Sequence, residues 1–108
     1  MRIWQWEIWK AKVPGFAVDH WFVLLSGQER LDNPKHQACN GLICYTLRGP
    51  PISTDVRLDA ADGFRAATAC QCDFLWVLDK RTLHSQTGTV SWERQQQIRS
   101  KVREILRL

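Results

Sequence analysis

Short segments rich in β-branched and aromatic residues, each closed by glycine, proline or aspartate, run through most of this chain. Such segments are typical of β-strands, and short strands joined by turns form curved antiparallel sheets or barrels. The first segment alternates apolar and polar residues, so that Trp9, Ala11 and Val13 share one face, and the turn Pro14-Gly15 follows it. The predicted strand segments are residues 7–13, 21–25, 42–47, 56–59, 68–78 and 88–90.

The end of the chain has the periodicity of a helix instead. Ser91 is a typical N-cap residue, and Glu93 falls in the first turn, where the helix dipole favours a carboxylate. Apolar residues then recur at the spacing of one helical face, at Ile98, Val102, Ile105 and Leu106. The predicted fold is therefore mainly β with one C-terminal α-helix, which closes one side of a small, curved antiparallel sheet or barrel.

The segment 26–41 interrupts the strand pattern. It carries Gly27, Pro34 and Gly41 among charged and amide residues, and it is predicted to be one long loop, with or without a short helix. Loops of this length inside a compact domain are often functional.

Size and composition exclude several classes of protein. A chain of 108 residues is enough for one domain, and its longest apolar runs, 21–25 and 74–78, are far shorter than a membrane span of about 18 residues. The first residues do not resemble a secretory signal, so we expect a cytoplasmic protein whose four cysteines are free thiols. The net charge of +4 favours a polyanionic partner only weakly.

The order and spacing of these segments resemble the MazF/PemK-like toxins of bacterial type II toxin–antitoxin systems. Residues 8–16 look like the opening strand and turn of a branch with a Val-Pro-Gly-Phe start, and 21–26 look like a strand that ends in a hydroxyl residue. Residues 42–46 match the strand that ends in the family's threonine. The remaining similar segments are 56–63, 70–73, 78–83 and 88–91. Residues 1–108 are therefore predicted to be a single domain of this type, in which 1–6 form an N-terminal extension.

The resemblance implies a small SH3-like barrel of the MazF/PemK/CcdB type that assembles as a homodimer. It also implies metal-independent cleavage of single-stranded RNA, no cofactor, and neutralisation by a small antitoxin protein. The chain departs from the family at His20-Trp21, because the family usually has an Arg-Pro pair there and its arginine helps catalysis.

Four residues are predicted to carry the chemistry. Metal-free RNA cleavage needs a base for the 2′-OH, an acid for the leaving 5′-oxygen, and donors for the charged phosphorane. His20 is the candidate acid or base, since histidine exchanges protons near neutral pH. Thr46 and Arg48 are candidate donors to the phosphate, and Asp73 is a candidate base or reader of an exocyclic amine. Ser26, Lys12 and Lys80 are the predicted RNA-binding residues.

Each of these residues also has a structural interpretation. His20 and Asp19 can form an ordinary surface pair, Thr46 suits any strand, and Asp73 can be a charge that protects a sheet edge. Convergence of the four candidates in space is the feature that separates the two interpretations. The alternative functions are a non-catalytic module of the same fold that binds RNA or blocks a protein, as gyrase-poisoning relatives do, and a structural barrel that binds a protein through exposed tryptophans.

The cysteines and tryptophans are interpreted as structural. The spacing of Cys39, Cys44, Cys70 and Cys72 differs from the usual paired zinc pattern, so no metal site is predicted, and a four-thiolate zinc site is the alternative. Trp9, Trp21 and Trp76 lie in strand segments and are expected to be buried. Trp4 and Trp6 are predicted to share a strand face and to pack on the barrel or the partner subunit, with stacking on bases as the alternative. Trp92 is predicted to pack at the start of the helix.

Overall fold

The computed structural model describes residues 2–108 and contains one antiparallel sheet of seven strands. The strands are β1 (Glu7–Ala11), β2 (His20–Leu24), β3 (Ala38–Thr46), β4 (Asp55–Leu58), β5 (Thr68–Gln71), β6 (Trp76–Asp79) and β7 (His84–Thr89). The helices are α1 (Gln28–Asp32) and α2 (Trp92–Leu106), with short 3-10 segments at Ala60–Asp62 and Lys80–Thr82. The strand order is β4-β5-β3-β2-β1-β7, and β6 pairs with β3. The predicted class, mainly β with a C-terminal helix, is confirmed.

The sheet is organised around β3, which is nine residues long and pairs with three other strands. Its first half pairs with β6, its second half pairs with β5, and its other edge pairs with β2, where Cys44 lies opposite Trp21. Gly41 lies where the pairing with β6 ends, and a Cβ atom there would lie 2.8 Å from a methyl carbon of Leu78. The small residue therefore allows β2 and β6 to approach β3 together.

Three predicted boundaries are wrong. The predicted loop 26–41 does contain a short helix, α1, but its last residues 38–41 are the start of β3. These small and polar residues form a strand without the β-branched side chains that identify one. The predicted strand 68–78 is two strands, β5 and β6, which pair with different halves of β3. The last strand begins at His84 rather than at Gly88.

Both faces of the sheet are buried, in two separate clusters. The α2 face, which α2 covers through Ile98, includes Ile8, Val23, Leu42 and Cys44. The α1 face, which α1 covers through Leu31, includes Trp9, Ala11, Val13, Phe22 and Ile43. Trp9, Ala11 and Val13 thus lie on one face, as their alternation predicts. No helix formed by residues 2–108 has the length and apolarity that crossing a membrane requires.

A junction of polar side chains and glycines joins the 3-10 segment after β4 to the start of α2. The buried carboxylate of Asp62 accepts hydrogen bonds from the backbone N–H groups of Asp59 at 3.0 Å and Ser91 at 2.8 Å. Gly63 has a φ of +103°, and a Cβ there would lie 2.5 Å from the carbonyl oxygen of Thr87. We call residues 59–63, 87–91 and Arg94 the Asp62 junction. The junction requires aspartate at position 62 because its carboxylate is a buried hydrogen-bond acceptor. It requires glycine at position 63 because the backbone of Thr87 approaches so closely.

The first residues of the chain pack against the rest of the fold. Ile3 and Trp6 are buried, and the Gln28 side chain of α1 donates to the Ile3 carbonyl at 2.8 Å. Trp6 has a positive φ of 75°, while Trp4 is exposed with the Arg2 guanidinium 3.7 Å from its ring centroid. The prediction that Trp4 and Trp6 share a strand face is therefore wrong, because these residues form a turn that sends one ring inward and the other outward.

The other tryptophans differ in burial. Trp9 is buried as predicted, whereas Trp21 and Trp76 are only half-buried. Trp92 is 70% exposed, so the prediction that it packs at the start of α2 is wrong. Ser91 precedes α2 as predicted, but its side chain makes no capping hydrogen bond, and its backbone N–H binds Asp62 instead.

Candidate nucleic-acid interface

His20 is the first residue of β2 and lies on the α1 face, where it is surrounded by rings. Its ring centroid is 4.6 Å from that of Phe16 and 6.0 Å from that of Tyr45. Its Nδ1 is 3.1 Å from the carbonyl oxygen of Val18, a contact made within the turn that leads into β2. The imidazole is half-buried, so one side of it remains open to solvent.

These contacts are part of a longer series of rings, which we call the aromatic row. Phe16 contacts Trp76 with a centroid distance of 5.6 Å, and Trp76 contacts Phe74 at 5.0 Å. The row thus comprises Tyr45, His20, Phe16, Trp76 and Phe74 in that spatial order. These rings come from distant parts of the chain. Phe16 lies in the β1–β2 turn, His20 in β2, Tyr45 in β3, Phe74 in the segment before β6, and Trp76 in β6.

Thr46 is the last residue of β3 and lies on the α2 face. Because neighbouring residues of a strand point to opposite faces, Thr46 lies on the side of Cys44, away from Tyr45 and the aromatic row. It lines a groove of about 340 Å³, which we call the threonine groove. The side chains in its wall include Trp21, Cys44, Thr46, Phe64, Arg65, Thr68 and Thr87.

The four predicted catalytic residues converge only in part. The register of β2 with β3 places Trp21 opposite Cys44, so His20 and Thr46 lie at the same end of these strands but on opposite faces. Arg48 is exposed in the turn after β3, two residues beyond Thr46. Asp73 is exposed in the turn between β5 and β6, next to Phe74, at the far end of the aromatic row from Tyr45. A ligand must therefore lie along the strand ends to touch all four.

Of the three predicted RNA-binding residues, Lys80 is used within the protein. Its Nζ donates to the carbonyl oxygens of Leu31 and Asn33, each at 3.1 Å, and also to that of Arg30. An ammonium group has three donors, so this side chain satisfies the C-terminal end of α1 and has no free donor for a phosphate. The geometry therefore does not support RNA binding by Lys80.

Of the other two predicted RNA-binding residues, Ser26 is also used within the protein, whereas Lys12 faces solvent. The Oγ of Ser26 accepts a hydrogen bond from the backbone N–H of Asn40 at 2.7 Å, which fixes the start of the α1 segment against β3. Lys12 is exposed and lines a cavity of about 510 Å³ beside Val77 of β6. Among residues 2–108, no ion pair is made by Lys12 or by Arg48, so both cations face solvent.

The sequence interpretation did not identify a second histidine near this region. The Nε2 of His84 lies 2.5 Å from a carboxylate oxygen of Asp19, and its Nδ1 lies 3.0 Å from the Oγ of Ser85. This pair connects the start of β7 to the β1–β2 turn, which carries Phe16 and leads into His20. Because Asp19 and His84 are 65 positions apart in the chain, no local sequence signal indicates their contact.

The cysteines are divided between the two faces. Cys44, Cys70 and Cys72 lie in the α2-face cluster and Cys39 lies in the α1-face cluster, which rules out one four-thiolate zinc site. Hydrogen bonds with Cys44 and Cys72, together with burial, raise the pKa of the Cys70 thiol. Within residues 2–108, no group of histidine, cysteine or acidic residues has an arrangement that suits a metal ion.

Solved structures of MazF toxins have the same fold. A mycobacterial endoribonuclease in complex with its cognate antitoxin aligns with a TM-score of 0.80 and 14% identity, over 98% of this chain and 94% of that one. Toxin MazF-mt6 of Mycobacterium tuberculosis aligns with a TM-score of 0.78 and 16% identity, over 94% and 97% of the two chains. A chain of the MazE–MazF complex of Deinococcus radiodurans gives a TM-score of 0.77 and 16% identity, over 98% and 96%.

No protein-family model and no curated protein matches the sequence. At identities of 14–16%, the structural similarity establishes the fold. The chain therefore has the MazF fold along nearly all of its length, as the spacing of its segments predicted.

Proposed function

We propose that this chain is a MazF-like toxin that cleaves single-stranded RNA without a metal ion. The observation that carries the proposal is the MazF fold over 98% of the chain, together with the position of His20 and Thr46 at one end of β2 and β3. Related toxin structures have been solved with an antitoxin, so a small antitoxin protein is the proposed partner. The proposed active form is a homodimer in the cytoplasm.

In the proposed reaction, the 2′-oxygen attacks the adjacent phosphorus as its proton passes to a base. The bond to the 5′-oxygen breaks as that oxygen takes a proton from an acid, which leaves a 2′,3′-cyclic phosphate and a 5′-OH. We assign one of these proton transfers to His20. The Thr46 hydroxyl and the Arg48 guanidinium donate hydrogen bonds to the phosphate oxygens as negative charge develops on them. Asp73 binds an exocyclic amine of a nearby base.

The opposite orientations of His20 and Thr46 favour a second candidate function. Packing of His20 against Phe16 on the face away from Thr46 suits a module that binds RNA without cutting it. The family's arginine is also absent at this position. The two candidates differ in whether the bound RNA is cleaved.

The test is incubation of the purified protein with mixed-sequence RNA in EDTA. Cleavage to 5′-OH products is expected, with a loss of about 100-fold or more in His20→Ala and of about 100- to 1,000-fold in Thr46→Ala. His36→Ala and Thr89→Ala, which change exposed residues outside the site, are the matched controls and are expected to retain activity. Binding without cleavage would support the second candidate, and neither binding nor cleavage would exclude both.

A further inference from the structure

The aromatic row is an exposed surface of rings on a fold whose other large apolar residues are mostly buried. Phe74 is 56% exposed, Tyr45 is 41% exposed and Phe16 is 38% exposed. Single exposed apolar residues are common on proteins, but a connected series of them marks a binding surface.

The rings of the aromatic row are held in place by the buried side chains and strands on which they pack. Phe22, which is fully buried in the α1-face cluster, lies 6.1 Å from Trp76 between ring centroids. His20 and Tyr45 are fixed by β2 and β3, and Trp76 is fixed by its pairing with Gly41. The rings therefore form a surface that needs little ordering when a ligand binds, which reduces the entropic cost of binding.

The position of His20 within the row indicates the chemistry of the ligand. His20 contacts Phe16 on one side and Tyr45 on the other. Arg48 lies in the turn after Thr46, and Lys12 lines a cavity with Val77, which points to the other face of β6 from Trp76. Both cations are exposed and outside the ion pairs of residues 2–108. A series of rings that includes the proposed catalytic imidazole suits a strand of unpaired bases, because bases can stack on the rings on either side of a phosphate held at His20.

We propose that the aromatic row is a stacking surface for the unpaired bases that flank the cleaved phosphate. This inference rests on the proposed function and extends it: Phe16, Trp76 and Phe74 bind the bases, and Asp73 contacts the base at the end of the row. His20 belongs to both the row and the proposed catalytic site, so stacking fixes the distance between a bound base and the imidazole.

The test uses a fluorescein-labelled RNA of mixed sequence with 2′-O-methyl groups throughout. This RNA has no free 2′-OH to attack the phosphate, so its binding can be measured by fluorescence anisotropy without cleavage. Phe74→Ala and Phe16→Ala are each expected to weaken binding by about 5- to 150-fold, the range found when one stacking ring is removed. Trp92→Ala, which removes an exposed ring at the start of α2, is the control and is expected to bind as the unchanged protein does.

A second RNA, in which abasic sites replace the bases, separates stacking from other contacts. If the row stacks on bases, the abasic RNA binds more weakly to the unchanged protein, and Phe74→Ala causes no further loss. An equal loss on both RNAs would overturn the stacking role, and unchanged binding of intact RNA to both row variants would do the same. Phe74→Leu keeps an apolar side chain without the ring, and it is expected to behave as Phe74→Ala does.

The outcomes also separate this inference from the function on which it rests. If the protein cleaves RNA in EDTA but the row variants bind normally, the stacking surface is excluded and the nuclease remains. If the unchanged protein neither binds nor cleaves RNA, both are excluded. If the row variants bind RNA normally but lose binding to an antitoxin encoded beside the gene, the row is a protein-binding surface and the stacking proposal is wrong.

Discussion

The Asp62 junction and the aromatic row use their residues in opposite ways. In the junction, a buried carboxylate has its hydrogen bonds satisfied and two backbone segments approach so closely that only glycine fits at Gly63. In the row, large rings remain exposed although the fold has two clusters that bury rings of this kind. A segment that resembles a known family can thus serve the fold, as Asp62-Gly63 does, while most rings of the surface proposed to bind the ligand lie outside any recognisable motif.

The largest expected effect is on the stability of the junction. Gly63→Ala places a Cβ 2.5 Å from the Thr87 carbonyl oxygen at a φ of +103°. We expect it to lower the free energy of unfolding by about 2–4 kcal/mol. Urea unfolding followed by fluorescence measures this loss. Gly49→Ala, at a position with open space around it, is the control, and a similar loss in both variants would show that the close approach is not what requires Gly63.

Two lysines sharpen the comparison. Lys80→Met removes donors to the carbonyl groups at the end of α1 and is expected to lower the free energy of unfolding by about 1–2 kcal/mol, with RNA binding unchanged. Lys12→Met is expected to show the reverse, with a change in stability within about 0.5 kcal/mol and weaker RNA binding. The same urea and anisotropy measurements test both variants. If a stably folded Lys80→Met protein binds RNA more weakly, Lys80 does contact RNA and this prediction is wrong.

The smallest expected effect is on how the stability of the folded protein changes at acid pH. The backbone N–H of Ala61, followed by the Arg94 guanidinium, lowers the pKa of Asp59 in the folded protein. The resulting stabilisation is therefore present above the ordinary aspartate pKa of about 4 and is lost as the pH falls through the lower value of the folded state.

Asp59→Asn is expected to reduce the steepness with which stability falls below about pH 4. Urea midpoints measured from pH 6 down to pH 3 test this. Asp73→Asn, which changes an exposed carboxylate outside the junction, is the matched control. If the stability of Asp59→Asn falls with pH as steeply as that of the unchanged protein, the Asp59 carboxylate does not provide this pH-dependent stabilisation.

The local pattern of apolar and polar residues was sufficient to predict the class of the fold. Alternation and β-branched content located β1, β2 and much of β3, and apolar spacing located α2, because these signals depend on neighbours in the chain. The break between β5 and β6 could not be predicted in this way. The apolar run 74–78 begins inside the break and continues into β6, so the pattern does not mark where β6 starts. The break arises because the two strands pair with different halves of β3.

The site was predictable only in part, since its geometry depends on contacts between distant segments. The strand-end positions of His20 and Thr46 followed from the pattern, but their opposite faces depend on how β2 and β3 pair. The aromatic row joins residues from 16 to 76 in the chain, and the use of Lys80 by α1 links residues 47 to 50 positions apart. Exposure of Phe74 and of Trp92 likewise depends on what packs nearby.

Tyr45 and Thr46 are consecutive residues of β3, yet one belongs to the row of rings and the other to the groove behind it. A single peptide unit therefore connects the two surfaces. Substitutions can adjust either surface separately, but inserting one residue within β3 would exchange their contents, turning a hydroxyl toward the rings and a phenol toward the groove. The separation of the two surfaces therefore depends more on the length of β3 than on the identity of its last side chains.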